Sequence, residues 1–541
     1  MRHAGRSVFL TSSLVFCHVA PSALAATGTW ANSTVAAGNW SDTTKWVGGI
    51  VPGAAGDTAN FNLDYGTNNK VVTIDNTSRA LGTLNIGDPG ATHRIVTIQS
   101  SGGASLIFNN LGGGALLAKT TATNNVLDVI TAPVTLADNL VINVTDITTP
   151  LGALRIDGAI SESAGARSIT KNGAGVASMY SLTNTYSGGT ILNAGELQLG
   201  SIATFVGQTD ALGSGGLTIN GGVISSRNGA KIVPNAVSVG GDFTLASDAS
   251  NNKINLSGAV NLGGTTRIVT VGDVQGAVIS GEISNGGLTK AGVGTPLTLS
   301  GFNTYTGPTT VNAGTLALSG SITSSVTVAA GAVFDETPAG VIGGASSFTT
   351  SGTATLGGTN TYTGATTING GTLTLSGATP IDASSGVSIN GGTAKLVVSG
   401  FGTVIPPVSL SLGSLDGNGH INSLTVADSA GNTLSAGNGT DTFLEADSMT
   451  FQSAAPLNVR GSADLSGQYF VTNSLSTSSS TDVVVNATNT SGIWSSGVDY
   501  TVIQFSSYLS AVDASHFTLG TVSGLLGTQS AALVNTGSAI V

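Results

Sequence analysis

The chain has 541 residues with 78 Gly, 13 Pro and one Cys, and its formal net charge is −11. Charged residues make up only 8% of the sequence, against about a quarter in an ordinary soluble domain. A mean hydropathy of +0.30 excludes a disordered chain, and the lack of a three-residue Gly period excludes collagen. The dilute negative charge also argues against nucleic acid and anionic membranes as partners.

Residues 1–25 are predicted to be a secretory signal peptide, recognised by the export machinery. Arg2 and Arg6 precede an apolar stretch at 7–20, and Ala23-Leu-Ala25 supplies a small-x-small cleavage site. The stretch is too short for a membrane span, and no other apolar run is long enough for one. The alternative is a buried N-terminal helix. Because Cys17 lies in this segment, the mature chain would fold without disulfides.

Residues 26–168 are predicted to form an N-terminal Trp-rich β cap followed by early solenoid coils. Trp30, Trp40 and Trp46 fall close together, and the next Trp is Trp494. Three large rings could cover the apolar end of a repetitive fold, which would otherwise be open to water.

Residues 169–448 contain a phrase that occurs three times, and this region is predicted to be a repeat solenoid. The copies contain Asn184-Thr-Tyr186-Ser-Gly188, Asn303-Thr-Tyr305-Thr-Gly307 and Asn360-Thr-Tyr362-Thr-Gly364. Two copies extend upstream by the same distance, giving full units at 169–200 and 288–319. In the third copy, 348–356 replaces the upstream half. Self-similarity of this kind indicates a repeat architecture.

A shorter motif, one aliphatic residue followed by Asn, Gly or Ala, and Gly, marks the turns. Alternating apolar residues follow, as expected of half-buried strands. The spacing from Asn193 to Asn220 and from Asn369 to Asn390 suits one coil of a β-helix, with roughly twenty rungs in all. The predicted fold is therefore all-β, a right-handed parallel β-helix. Antiparallel hairpins in a sandwich array are the alternative, since Asn-Gly also favours hairpin turns.

Residues 449–541 lack the Asn-Gly-Gly motif but keep alternating segments such as Tyr500–Phe505, so they are predicted to be a C-terminal β region.

The sequence predicts no metal or cofactor site. His93, His420 and His516 are far apart and are expected to be solvated, and the mature chain has no Cys for zinc. The segment 437–443 is similar to one calcium-binding nonapeptide, but such sites need tandem copies, so a plain turn is expected. A turn is also expected at 415–420.

An enzyme on a β-helix would need clustered charged groups in a lateral groove. Asp335 and Glu336 should point to opposite faces of a strand, while Glu445 and Asp447 should share one. Neither pair has a basic partner in the sequence, so no catalytic residue is predicted. Lys171 and Lys290 are expected to be solvated turn residues. The repeat tyrosines are expected to pack over coil corners, with a binding stripe as the alternative.

The three copies resemble the autotransporter-associated β-strand repeat, also called the passenger-associated transport repeat. The resemblance covers the pattern Leu288-Thr-Lys290-Ala-Gly292-Val-Gly294, Asn303-Thr-Tyr305-Thr-Gly307 and the following Thr-Val-Asn312-Ala-Gly314. It implies a secreted or surface-exposed β-helical passenger whose repeats assist export and folding. Autotransporters end in a β-barrel that this sequence does not predict, so self-export through its own barrel is not expected.

These observations predict an exported, non-enzymatic β-solenoid with a structural, adhesive or display role at the cell surface, associated with the outer membrane, or outside the cell. Its partner would be a surface or extracellular ligand, with polysaccharide among the candidates. The alternatives are a carbohydrate-active β-helix enzyme and a repeat spacer that presents a terminal binding module.

Overall fold

Very short strands, most of them three to five residues long, form coils around a common axis in the computed structural model. The structure describes residues 24–541 except 32–35, 67, 91–93, 121–126, 146–153, 205, 248–251, 273–274, 378–379, 428, 430, 437–443, 453–455, 462–469, 478–482, 490–501, 509–516, 524–531, 533 and 535–537. Most of the predicted signal peptide, Cys17, His93, Trp494, Tyr500, His516 and the nonapeptide at 437–443 therefore lie outside the described residues.

The strands of the first half are β1 Thr27–Thr29, β2 Ala37–Asn39, β3 Thr58–Phe61, β4 Lys70–Ile74, β5 Arg79–Leu81, β6 Thr83–Ile86, β7 Val96–Ser100, β8 Leu106–Phe108, β9 Ala115–Lys119, β10 Asp128–Ile130, β11 Val134–Leu136, β12 Leu140–Val144, β13 Leu154–Ile156, β14 Ile160–Glu162, β15 Ile169–Asn172, β16 Val176–Met179, β17 Thr190–Leu192, β18 Glu196–Leu199, β19 Gly207–Gln208, β20 Leu217–Ile219, β21 Val223–Ser226, β22 Lys231–Val233, β23 Val237–Val239, β24 Phe243–Ser247, β25 Ile254–Leu256 and β26 Val260–Asn261. Two short 3-10 helices, Thr43–Lys45 and Val47–Gly49, lie between β2 and β3.

The second half comprises β27 Thr266–Val271, β28 Ala277–Ile279, β29 Ile283–Ser284, β30 Gly287–Ala291, β31 Pro296–Leu299, β32 Thr309–Val311, β33 Thr315–Leu318, β34 Ser321–Ile322, β35 Val326–Val328, β36 Val333–Glu336, β37 Val341–Ile342, β38 Phe348–Thr350, β39 Thr353–Leu356, β40 Thr366–Ile368, β41 Thr372–Leu375, β42 Val387–Ile405, β43 Val408–Val426, β44 Thr433–Ala436, β45 Leu444–Phe451, β46 Pro456–Gly461, β47 Phe470–Thr477, β48 Val483–Asn489, β49 Ile503–Tyr508, β50 Phe517–Ser523 and β51 Ala539–Ile540.

Parallel pairing between successive coils confirms the predicted β-solenoid, which has about 16 turns, fewer than the roughly twenty rungs expected. One column of strands runs β1-β3-β6-β9-β12-β15-β17-β20-β23-β26-β29. A second contains β16-β18-β21-β24-β27-β30-β32-β35. A third contains β19-β22-β25-β28-β31-β33-β36-β39-β41. The antiparallel sandwich alternative is wrong.

Coil length follows the spacing of the turns. Asn193 and Asn220 lie on neighbouring coils, joined by a 2.8 Å side-chain hydrogen bond across 27 residues of chain. Ile368 pairs with Ile389, so the shorter predicted spacing is also one coil. The two spacings therefore measure the chain needed for one turn of the solenoid.

The core is a set of apolar columns that run along the axis. Because one face of each strand points inward, in-register pairing stacks its buried residues on those of the next coil. One such column consists of Leu297, Leu316, Phe334, Ala354, Leu373, Leu396, Leu415 and Leu434, each at most 1% exposed. Burial of this continuous column replaces the disulfides that the described chain lacks.

The first two repeats occupy different positions around the axis. Strand β15, which begins the first copy, lies in the first column, whereas its equivalent β30 lies in the second column, with β27 and β32 as neighbours. The repeat thus specifies the shape of a coil segment and not a particular face of the solenoid.

The predicted Trp cluster is confirmed at the N-terminal end. Trp30, Trp40 and Trp46 are each at most 3% exposed, and they pack around Phe61 with ring centroids 5.3–5.6 Å from its ring. The indole nitrogens of Trp40 and Trp46 donate to the carbonyls of Pro52 and Trp40 at 2.7 and 2.8 Å. The four rings thus form one buried cluster in the first coils.

At the other end, parallel pairing continues through β43, β45, β47 and β49, and β49 then pairs antiparallel with β51. Strand β45 includes residue 449, where the sequence predicts the C-terminal region to begin. No helix within the described ranges has the length and apolarity needed to cross a membrane.

Candidate functional site: the repeat frame and a lateral cleft

The repeat lysines are buried, and the prediction that Lys171 and Lys290 are solvated is wrong. Both are 0% exposed. The ammonium of Lys171 donates to the carbonyls of Asn172 and Gly173 at 2.8 Å and of Ala194, on the next coil, at 3.2 Å. Lys290 makes the same three bonds, to Ala291, Gly292 and Ala313, at the same distances.

Each ammonium therefore joins two consecutive turns through the carbonyls that the turns leave free. An ammonium has three donors, and three carbonyls satisfy them. Burial lowers the pKa of Lys171 and of Lys290 to about 8. A lysine beside a Gly-rich turn has the same local sequence whether it points outward or inward, so the sequence does not reveal this role.

The third copy has Thr350 at the lysine position. Its side chain is fully buried, and its hydroxyl donates to the carbonyl of Gly352 at 3.2 Å and accepts from the Gly352 amide at 3.1 Å. One hydroxyl thus serves part of the same turn.

The repeat asparagines bind neighbouring coils together. Oδ1 of Asn303 accepts from the amide of Ile283 on the preceding coil at 2.9 Å, and Nδ2 donates to the carbonyl of Ser321 on the following coil at 2.9 Å. Asn184 makes the equivalent contacts to Ile160 and Ala211. These buried amides satisfy backbone groups that a curved corner would otherwise leave without partners.

The repeat tyrosines pack inside the corners, as predicted, and the binding-stripe alternative is wrong. Tyr186, Tyr305 and Tyr362 are at most 1% exposed. Each hydroxyl bonds the hydroxyl of the threonine four residues later, Thr190, Thr309 or Thr366, at 2.6–2.8 Å. The repeat tyrosine and threonine of each copy therefore bond each other inside the corner, and the tyrosine ring is not available to a ligand.

Asp335 and Glu336 point to opposite faces, as predicted. Asp335 is exposed, whereas Glu336 is only 2% exposed. Oε2 of Glu336 accepts from the Gly358 amide and from Nδ2 of Asn360 at 3.1 and 2.9 Å, while Oε1 has no hydrogen-bond partner. Burial raises the pKa of this carboxyl above its ordinary value.

The sequence missed two charge pairs on the second half of the solenoid. His420 Nε2 lies 3.0 Å from Asp447 Oδ1, and the His420 backbone pairs with Glu445 on the next coil. Lys395 Nζ lies 2.8 Å from Asp416 Oδ2. All of these side chains are partly exposed, so solvent weakens both pairs. His420 and Asp447 are 27 residues apart in the sequence. Their proximity could be predicted only if the length of this coil were already known.

The turn predicted at 415–420 is wrong, because the segment belongs to the long strand β43. Leu415 and Asp416 pair with strands on both sides, and the chain bends at Gly413 and Gly417, with φ of 136° and 119°. A strand can turn a corner there without losing its ladder. Within the described part of the chain, no group of three or more His, Cys, Asp or Glu side chains could hold a metal ion.

A lateral cleft of about 320 Å³ opens on the side of three consecutive coils. It is lined by Gly264, Thr265, Thr266, Asn285, Gly286, Gly287, Thr304, Thr306 and Gly307. Thr265, Thr266, Asn285, Thr304 and Thr306 are exposed, and none of the lining residues is charged. The cleft therefore presents hydroxyl and amide groups that can both donate and accept.

The stacked coils and the buried Lys, Asn and Tyr of the repeats together define a parallel β-solenoid scaffold that contains sequence repeats. The passenger-associated transport repeat family model matches residues 169–199, 288–318 and 351–375, so the chain carries three matches to this repeat. It is also similar to the adhesin BmaC autotransporter of Brucella suis biovar 1 (strain 1330), with 31% identity over 186 residues. That alignment covers 32% of this chain and 5% of the relative. No solved structure matches the chain.

Proposed function

We propose that the chain is an exported, non-enzymatic passenger-like protein with an adhesive or display role at the cell surface or outside the cell. The observation that carries this proposal is that the characteristic side chains of the repeat point into the solenoid. Lys, Asn and Tyr of each full copy are buried and bonded within the frame, so the repeats supply a scaffold and leave the outer face for a ligand. The similarity to an autotransporter adhesin supports the same role.

Parallel stacking gives the repeats a physical part in export. Each coil pairs in register with the preceding one, so a chain that emerges from one end can fold coil by coil on a template already in place. Burial of each new apolar rung would oppose movement back through the membrane. In this proposal, 169–448 is the repeat solenoid, between end regions at 26–168 and 449–541.

Export is tested by expressing the full chain in a Gram-negative host and locating it by fractionation and surface labelling. We expect cleavage after Ala25 and protein outside the inner membrane. The control carries Leu14→Arg and Val15→Arg, which interrupt the apolar stretch and should leave uncleaved precursor inside the cell. Equal export of both forms would contradict the signal peptide.

Adhesion is tested with beads that carry the purified protein, against cells and polysaccharide-coated surfaces. Beads with an equal density of an unrelated β-solenoid are the control. We expect retention on at least one surface and no release of reducing ends from the polysaccharides. Cleavage of a glycan that Glu445→Gln or Asp447→Asn abolishes would establish the enzyme alternative instead.

A further inference from the structure

An exposed aromatic ring lies close in sequence to the lining residues of the lateral cleft. Phe302 is 81% exposed and lies two residues before Thr304 in a segment whose exposed residues, Phe302, Thr304 and Thr306, alternate with buried Asn303 and Tyr305. In extended chain, residues two apart on one face are about 6.5 Å from each other. Phe302 is therefore on the same, outward side of this segment as the lining residues Thr304 and Thr306.

Single exposed apolar residues are common and carry no meaning by themselves. Phe302 differs because the repeat supplies its own comparison. The residue before the repeat asparagine is Thr183 in the first copy and Thr359 in the third, and both are exposed. The ring is thus a departure from the repeat, and this corner does not need it for folding.

The cleft has the chemistry of a site for an uncharged polyhydroxylated ligand. Thr304 Oγ1 donates to Glu282 Oε1 at 2.7 Å, which fixes the hydroxyl and leaves its oxygen as an acceptor. Asn285 Nδ2 donates to Asn261 Oδ1 at 3.1 Å, so the amide of Asn285 is held in one orientation. The cleft's volume of about 320 Å³ lies at the lower end of the usual range for small-molecule sites, about 300–1,000 Å³.

The charges of the residues around the cleft favour a neutral sugar over an acidic one. No lining residue is basic, Glu282 lies beside Thr304, and the chain carries a net charge of −11. The nearby guanidinium of Arg267 lies beside Gly263 and donates to the carbonyl of Leu262, so it is held by the backbone. No lining residue supplies a positive charge to compensate an anionic saccharide. A neutral saccharide would exchange hydrogen bonds with Thr and Asn and place its apolar C–H face on the ring of Phe302.

We propose that this cleft, with Phe302 at its rim, is a binding subsite for a neutral oligosaccharide. The inference rests on the proposed adhesive role and names the ligand class for it. Phe302 supplies the stacking surface, Thr304, Thr306 and Asn285 supply the hydrogen bonds, and the glycines let the ligand approach the backbone.

The test measures binding of the full chain to neutral hexasaccharides (cellohexaose, maltohexaose and mannohexaose) and to oligogalacturonate by calorimetry. We expect at least one neutral hexasaccharide to bind and oligogalacturonate not to bind. Phe302→Thr, which inserts the residue of the other two copies, and Thr304→Val should each raise the Kd about fivefold or more. Phe302→Tyr, which keeps the ring, should bind like wild type.

The matched control is Val293→Thr, since Val293 is also 81% exposed and is not among the lining residues. It should leave the Kd within about twofold of wild type. Equal melting temperatures would show that the variants are folded. No binding of any neutral hexasaccharide, tighter binding of oligogalacturonate, or an unchanged Kd for Phe302→Thr would each overturn the subsite.

Bead adhesion separates this proposal from the one on which it rests. If beads carrying the Phe302→Thr variant adhere as well as beads carrying wild-type protein, the subsite is overturned and the adhesive role stands. Wild-type beads that adhere nowhere would contradict the adhesive role itself.

Discussion

Five of the eight lysines are buried, and Lys119, Lys171, Lys231 and Lys290 among them donate hydrogen bonds inside the fold. Lys231 is 0% exposed and donates to the carbonyls of Arg227, Asn228 and Gly229 at 2.9–3.1 Å. Lys171 and Lys290 do the same in the repeats. A buried charge is costly unless hydrogen bonds satisfy it, and a turn with several free carbonyls supplies such bonds.

Removing the Lys290 ammonium should destabilise the solenoid. Lys290→Met keeps the length of the side chain but leaves the carbonyls of Ala291, Gly292 and Ala313 without this donor, so we expect a loss of about 2–4 kcal/mol in the free energy of unfolding. Lys290→Thr should lose less, because Thr350 shows that a hydroxyl can serve this turn. Chemical denaturation measures both.

Lys253→Met is the control for this prediction, since Lys253 is exposed and should change stability by less than about 0.5 kcal/mol. Equal stability of Lys290→Met and wild type would show that the lysine is not needed in the turn.

Glu336 should make stability depend on pH. Its pKa is raised in the folded protein, so between its ordinary value of 4.5 and its folded value the native state binds more protons than the unfolded state. The contribution of the neutral carboxyl is complete below pH 4.5 and is lost as the pH rises through the folded pKa. Glu336→Gln should therefore be more stable than wild type at pH 7.5, by on the order of 1 kcal/mol.

Thermal melting from pH 4.5 to 8 tests this, and the gain from Glu336→Gln should shrink towards the acid end. Asp335→Asn is the control on the exposed face and should have little effect at any pH. A Glu336→Gln protein that is less stable than wild type throughout would show that the carboxylate stabilises the fold as an anion.

At the scale of the element, the turns depend on glycines in the left-handed region. Gly314 has φ of 66°, and a Cβ there would lie 2.4 Å from the carbonyl oxygen of Gly292 on the preceding coil. Gly294 has φ of 95°, but nothing lies within 4 Å of its Cβ position. The two positions therefore separate backbone strain from coil-to-coil contact.

Gly314→Ala should be more damaging than Gly294→Ala. Both variants bear the cost of positive φ, about 1–2 kcal/mol, and only Gly314→Ala also pushes two coils apart. We expect about 3 kcal/mol or more for Gly314→Ala, measured by denaturant unfolding. Equal losses in the two variants would mean that the close approach of the coils contributes nothing.

Strands and coils could be predicted from the sequence, because alternation has a period of two and turn spacing measures the coil directly. The placement of Asp335 and Glu336 on opposite faces follows from the same rule. The inward position of Lys171 could not be predicted, because its partners are backbone carbonyls. Every residue has a backbone carbonyl, so the sequence does not mark the ones that bind the lysine. The cleft was also missed, because it gathers Thr and Gly from three coils that are individually unremarkable.

At the scale of the whole molecule, each coil contacts mainly its neighbours, so stability is distributed along the axis. The aromatic cluster at the N-terminal end is therefore a local reinforcement. Trp40 is fully buried and touches both Trp46 and Phe61, with centroids 5.3 Å apart.

Trp40→Ala should loosen the first coils and leave the distant ones intact. Loss of a buried Trp costs about 3–5 kcal/mol, and here the cost falls on the end of the array. Amide hydrogen exchange should accelerate in β1, β3 and β6 but not in β30–β41. Faster exchange along the whole chain would instead indicate that the solenoid unfolds as one cooperative unit.

The inward lysines also affect the susceptibility of the protein to proteases that cut after lysine. An enzyme that cuts after lysine needs the side chain in its own specificity pocket, and Lys70, Lys119, Lys171, Lys231 and Lys290 are each at most 1% exposed. Only Lys45, Lys253 and Lys395 reach the solvent. Five of the eight sites at which such an enzyme could cut are therefore buried in the coils and out of its reach.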